Sequence, residues 1–83
     1  MDTVPDATDE QIQQALASAE KGAAIMAKLT GYDRYQILMR AADLLAARTE
    51  DLARTISLEE GKPLAEARGE VGRMPDLLRL CAF

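Results

Sequence analysis

Histidine and tryptophan are absent from this sequence of 83 residues, and cysteine occurs once, at Cys81. Without an imidazole, the Ser-His-Asp and Cys-His arrangements that activate a nucleophile have no base. A single thiol forms no internal disulfide, and with no histidine beside it the usual zinc ligand sets cannot be assembled. Aromatic residues are limited to Tyr32, Tyr35 and Phe83, too few and too scattered along the chain to predict a stacking platform. Long apolar runs are missing as well. No stretch approaches the roughly 18 to 20 apolar residues of a membrane span, and the start Met1-Asp2-Thr3-Val4-Pro5 has no basic region followed by an apolar one, so the expectation is a cytoplasmic chain with no membrane partner. Positive charge is in deficit: 10 Lys and Arg face 14 Asp and Glu, a formal net charge of −4 with no basic block, which argues against nucleic acid as a partner. With only five Gly and three Pro, neither disorder nor a fibrous repeat is expected.

What is present is helical periodicity. Thr8 with Gln11 three residues on has capping-box spacing, and Ile12, Ala15, Leu16, Ala19, Ala23, Met26 and Leu29 follow at intervals of three and four, which predicts a helix over 9–29. Gly31 offers a left-handed position to end it. The period resumes with Leu38, Ala41, Ala42, Leu45, Leu52 and Ile56 until Gly61, predicting a second helical region over 33–60. Thr49 followed by Glu50 and Asp51 suits a new helix N-terminus, so a kink or restart is expected near Thr49. Pro63 fits the start of a third helix, and Leu64, Ala67, Val71, Met74, Leu77, Leu78 and Cys81 supply its stripe over 64–82. Pro75 should bend that helix, since it removes an N–H and crowds the carbonyl of Val71. The expected fold is all-α: a single helical segment over 1–83, with three to four helices in a small bundle or helical hairpin array.

Few residues invite chemistry. Glu66 with Glu70 and Glu59 with Glu60 are candidate carboxylate pairs, but Lys62, Arg68 and Arg73 lie close by in sequence, which predicts a solvated charged surface. Glu50 with Arg54, Glu70 with Arg73 and Asp76 with Arg79 have helix-surface ion-pair spacing. Gly61-Lys62-Pro63 lacks the glycine-rich run and the hydroxyl of a phosphate loop. Cys81, in register with Val71, Met74 and Leu78, is expected to point into an apolar interface as an inert thiol. No catalytic, cofactor-binding or metal-binding residue emerges.

One long segment adds a different kind of information. The run Ile56-Ser57-Leu58-Glu59-Glu60-Gly61-Lys62-Pro63-Leu64-Ala65-Glu66-Ala67-Arg68-Gly69-Glu70-Val71 resembles a signature of the NAD(P)-dependent aldehyde dehydrogenase superfamily, in a form closest to its succinate-semialdehyde dehydrogenase-like branch. Upstream, Asp33-Arg34, Ile37-Leu38 and Ala41-Ala42-Asp43-Leu44-Leu45 resemble the family's helix "ER..IL..AAdlL", Asp51-Leu52-Ala53 resembles its "eLA", and Val4-Pro5-Asp6-Ala7-Thr8 resembles the approach to its first helix. Met26 stands where the family usually has Trp, and Glu60 where it often has Thr or Ser. The resemblance implies an N-terminal helical fragment of a dehydrogenase that oxidises aldehydes to carboxylic acids with NAD or NADP, part of the α/β cofactor-binding domain in the full-length family. The family's catalytic Cys, general-base Glu, oxyanion-hole Asn and nucleotide turn all lie downstream, and Cys81 does not match the nucleophile motif. The chain alone is therefore expected to be inactive and to bind no cofactor. The resemblance also places Met74 where some members line the substrate tunnel. The expected partners are the rest of the dehydrogenase or a second copy, met through apolar helix faces, with the helix over 64–82 and its neighbour forming the contact. The alternative is a stand-alone helical interaction module derived from that segment.

Overall fold

The computed structural model describes residues 2–83 and contains four helices with no strand among them: α1 (Asp9–Lys28), α2 (Gly31–Ala47), α3 (Thr49–Glu60) and α4 (Leu64–Ala82). The all-α expectation holds, and the second helical region does restart at Thr49. Helix α1 begins at a full capping box: the Thr8 hydroxyl accepts from the Gln11 N–H at 3.2 Å, and the Gln11 side chain accepts from the Thr8 N–H at 2.9 Å. These bonds satisfy two of the N–H groups that a helix start leaves without partners.

Two punctuation marks differ from expectation. Gly31 is not a left-handed cap but the first residue of α2, and Gly61 is the one glycine with positive φ among the described residues, at 73°. Helix α1 stops instead because Thr30 starts the next helix. Its extended backbone, φ −67° and ψ 160°, supports a second capping box, in which its hydroxyl accepts from the Asp33 N–H at 3.1 Å and the Asp33 carboxylate accepts from the Thr30 N–H at 3.2 Å. Arg34 then reaches back, its Nη1 donating to the carbonyls of Leu29 at 2.6 Å and Met26 at 3.3 Å, so the orphan acceptors at the end of α1 are capped from α2. Thr49 likewise does not cap α3. Its hydroxyl donates back to the carbonyl of Ala46 at 3.0 Å, and the break is a single residue, Arg48, at φ −112° and ψ 16°.

Helix α4 is the central element, packed against both α2 and α3. Pro75 lies inside one continuous helix and is buried. The fully buried hydrophobic residues are Ala42, Ala53, Ala67 and Val71. Three of the four are alanine, so the helices meet through close backbone approach rather than through large side chains. Leu52, Ile56 and Leu64 pack around the cluster of Ala53, Ala67 and Val71. The slab measures 41 × 37 × 14 Å and its radius of gyration is 16.4 Å, where a compact domain of this length has about 12 Å. Helix α1 contributes no buried residue at all.

Ion pairs lace α3 to α4. Arg68 donates through Nε and Nη2 to both oxygens of Glu50, at 2.9 and 2.8 Å, and Arg54 adds a contact at 3.3 Å. This two-pronged geometry is the strong form of the Arg–carboxylate contact. The Arg68 hydrogen bonds first and the Arg54 bond second draw the Glu50 carboxyl from 4.5 down to about 2. Lys62, on the turn, pairs with Glu60 at 3.2 Å and with Glu70 of α4. Glu70 therefore turns to Lys62, and not to Arg73 as its spacing suggested; the pairs Glu50–Arg54 and Asp76–Arg79 do form. Arg79 also reaches Asp43 of α2 at 3.3 Å.

Two outcomes follow. Gly61→Ala forces a side chain into left-handed backbone where an added Cβ would meet nothing within 4 Å, so the cost is conformational alone. Urea unfolding should show a loss of about 1–2 kcal/mol, and an unchanged midpoint would refute the turn's role. The Glu50 carboxyl is depressed in the folded chain, so its pairing stabilises fully above about 4.5 and is lost as pH falls toward about 2. The melting temperature of Arg68→Ala should lie below that of the wild type at neutral pH, and the gap should close across that window. A gap independent of pH would show that Arg68 acts by packing alone.

Candidate functional site

The outward face of α4 carries an open groove of about 490 Å³ lined by Glu70, Arg73, Met74, Asp76, Leu77 and Leu80. Its origin is the helical period. Ala67, Val71 and Pro75, four residues apart, turn inward against α2 and α3, which leaves Met74 on the flank of that stripe and Leu77 and Leu80 turned away from it, 42%, 62% and 72% exposed. The groove is apolar along its floor and charged along its rim. Glu70 is held below the usual carboxylate range, first by the hydrogen bond from Lys62, which is itself raised by that contact. Asp76 is paired with Arg79. Arg73 makes no ion-pair contact among the described residues, but its charge adds a lesser pull on the Glu70 carboxyl. A smaller hollow of about 310 Å³ lies by Arg54, Ser57, Leu58 and Leu64. There the Ser57 hydroxyl donates to the Lys62 carbonyl at 2.7 Å, bracing the turn into α4.

Met74, singled out in the sequence, thus sits in the groove. Cys81 does not behave as expected: it is exposed. Ten residues on from Val71 a helix has come round to about 80° short of the same bearing, so Cys81 falls at the margin of the buried stripe, in the last turn of α4. The aromatic residues are not scattered either. Tyr32 and Tyr35 stack with ring centres 6.3 Å apart, and Phe83 approaches Tyr35 at 5.8 Å. Their 48 residues of separation between Tyr35 and Phe83 hide this in the sequence, and only the packing of α4 on α2 brings them together.

The described residues hold no cluster of three or more His, Cys, Asp or Glu arranged for a metal ion. They hold no strand leading into a glycine-rich turn, the arrangement that cradles a dinucleotide. No helix is long and apolar enough to cross a membrane.

Comparison with known proteins gives this groove a context. No solved structure matches the chain significantly. Over 77 residues the chain is 46% identical to a succinate-semialdehyde dehydrogenase of Paenarthrobacter nicotinovorans, an alignment covering 93% of the chain and 17% of that enzyme. It is 41% identical over 76 residues to a 3-sulfolactaldehyde dehydrogenase of Priestia megaterium, covering 92% of the chain and 16% of the enzyme. It is 35% identical over 80 residues to a lactaldehyde dehydrogenase of Methanocaldococcus jannaschii, covering 96% and 17%. The chain spans about a sixth of the length of the curated relatives it matches. The model of the aldehyde dehydrogenase family matches residues 1–83, the whole of the sequence, and the chain belongs to that family.

Proposed function

We propose that the chain is the N-terminal helical segment of an NAD(P)-dependent aldehyde dehydrogenase and that it contributes a wall of the aldehyde channel, not the covalent chemistry. The observation that carries this reading is the family match over residues 1–83, set beside a sequence with no histidine and one thiol at the margin of a helix stripe. In the parent reaction a thiolate adds to the aldehyde, hydride leaves for the nicotinamide cofactor, and water releases the acid. On this reading the nucleophile, the base and the dinucleotide turn belong to the remainder of the enzyme, which covers the outward face of α4 and closes the open groove into part of a channel. Met74 then supplies apolar wall, and Arg73 a positive charge near it.

The relatives are named for sulfolactaldehyde, succinate semialdehyde and lactaldehyde, short aldehydes rich in oxygen. A short aldehyde with an anionic far end is the substrate class that Arg73, the charge of the groove without an ion-pair contact, favours. A second reading, a helical module acting by self-association, is favoured by one observation: α1 buries none of its residues.

Fragment complementation tests the leading reading. The pure chain of 83 residues should give no aldehyde-dependent NADH or NADPH. Mixed with the downstream part of the Paenarthrobacter succinate-semialdehyde dehydrogenase, expressed without its own matching segment, it should restore turnover. Arg73→Ala in that mixture should raise KM for succinate semialdehyde about tenfold, the loss of one charged contact, and leave KM for lactaldehyde little changed. Activity of the chain alone would overturn the division of labour, and a mixture that neither associates nor turns over would overturn the segment's place in the enzyme.

A further inference from the structure

Glu70 has two cations near it and holds one of them. Arg73 follows it three residues later on the same helix, the spacing at which an acid and a base on a helix surface meet, and both residues line the groove on α4. Lys62 stands eight residues before it, on the turn that precedes the helix. Spacing favours Arg73, yet the Glu70 carboxylate accepts its hydrogen bond from Lys62 Nζ in a part-buried contact, and Arg73 exerts the smallest of the influences on that carboxyl. The turn explains the choice. Gly61 reverses the chain at φ 73°, the Ser57 hydroxyl donates to the Lys62 carbonyl at 2.7 Å, and Pro63, at φ −54° and ψ 135°, leads straight into α4. With its backbone held on both sides, Lys62 has only its side chain to order in meeting Glu70. A second carboxylate, Glu60, holds the same ammonium at 3.2 Å. The consequence lies in the groove. Were Glu70 closed on Arg73, the rim there would carry a neutral pair; closed on Lys62, Glu70 has its charge balanced from the turn, and the Arg73 guanidinium stands beside the apolar floor with no carboxylate bonded to it.

We propose that Lys62 is a positioning residue for the substrate: by holding Glu70 it leaves the Arg73 guanidinium to receive the anionic end of a short aldehyde. This rests on the channel-wall reading and deepens it, because preference for the anionic end then resides in the set Lys62, Glu70 and Arg73 and not in Arg73 alone.

Two measurements test it. In the 83-residue chain, a carbon-13 NMR titration of the Glu70 carboxyl reads which cation holds it, with far-ultraviolet circular dichroism to confirm that each variant is helical. Lys62→Met should move the Glu70 midpoint upward by more than Arg73→Ala does. Arg73→Ala should then move it further in the Lys62→Met background than in the wild type, since Arg73 takes the contact only once Lys62 is gone. A larger effect of Arg73→Ala than of Lys62→Met would overturn the proposal. In the complementation mixture, Lys62→Met should raise KM for succinate semialdehyde about threefold, a part of the loss caused by Arg73→Ala, because an exposed pair on one helix forms only part of the time. The turnover number and KM for lactaldehyde should stay near their wild-type values. Adding Glu70→Gln to Lys62→Met should return KM for succinate semialdehyde to the wild-type value, since no carboxylate then remains to claim Arg73, and Lys62→Arg should keep it there. Equal rises in KM for both aldehydes, or no recovery with Glu70→Gln, would overturn the proposal by showing that Lys62 serves the turn alone. The two readings fail separately: an unchanged KM for succinate semialdehyde in Arg73→Ala overturns the role of Arg73 in the channel wall, whereas a raised KM in Arg73→Ala beside an unchanged one in Lys62→Met overturns only the role of Lys62.

Discussion

Ala53 and Ala67 meet at the crossing of α3 and α4 with Val71 between the turns, and the rest of the molecule depends on how closely those backbones approach. Alanine contributes almost no side-chain entropy loss on burial and almost no apolar area. The contact is therefore tight in geometry but small in driving force. Other devices must hold it in register. Gly61 reverses the chain at positive φ, the Ser57 hydroxyl ties the turn to Lys62, and Arg68 clamps Glu50 with two hydrogen bonds. Exposed pairs are each worth little alone, but a two-pronged Arg contact joined to a second Arg is the arrangement in which surface charge contributes measurably. In this slab, polar stitching compensates for a core that never thickens.

The same closeness divides the two sides of α4. Every fourth residue, Ala67, Val71 and Pro75, is committed to α2 and α3, so whatever those positions hold must be small or rigid. Pro75 is tolerable at a buried site because its ring fills space without rotamer loss, although the helix forgoes one N–H donor there. The intervening residues are released from packing duty, and they form the groove. A helix with its inner face fixed by close approach is a rigid mount for an outer face that touches something else. That is the property the proposed channel wall needs.

Much of this was legible in the sequence. The stripes of three-and-four spacing located all four helices to within two residues, including the restart at Thr49, and Thr8 with Gln11 announced its capping box because both partners are close in sequence. The misreadings share a cause. Gly31 and Thr49 were each assigned by residue type, yet a neighbour claimed the position: Thr30 with Asp33 began α2 before Gly31 could end α1, and the Thr49 hydroxyl found the carbonyl of Ala46 already within reach. Local propensity states what a residue can do, and competition among adjacent residues decides which of them does it. Partners far apart in sequence were beyond reach of spacing arguments altogether. Glu50 with Arg68, Arg79 with Asp43 and Tyr35 with Phe83 form only once α4 lies against its neighbours. Met74 was reachable through resemblance, and Arg73 was not, because its significance is that Glu70 pairs with Lys62 instead.

The two unpartnered faces differ in kind, and the difference follows from their charges. The outward face of α4 mixes Leu77 and Leu80 with Glu70, Arg73 and Asp76, so burying it costs desolvation of ionised groups unless the covering surface supplies matching ones. Such a face fits a specific, complementary neighbour. The stripe of Ile12, Ala15, Ala19, Gly22 and Met26 on α1 is alanine and glycine through its middle with apolar residues at its ends, and the mid-helix charges Glu20 and Lys21 lie off it. Covering it costs little desolvation and demands only another helix that comes equally close. Covering α4 therefore demands a surface with matching charges, while covering α1 demands only close approach.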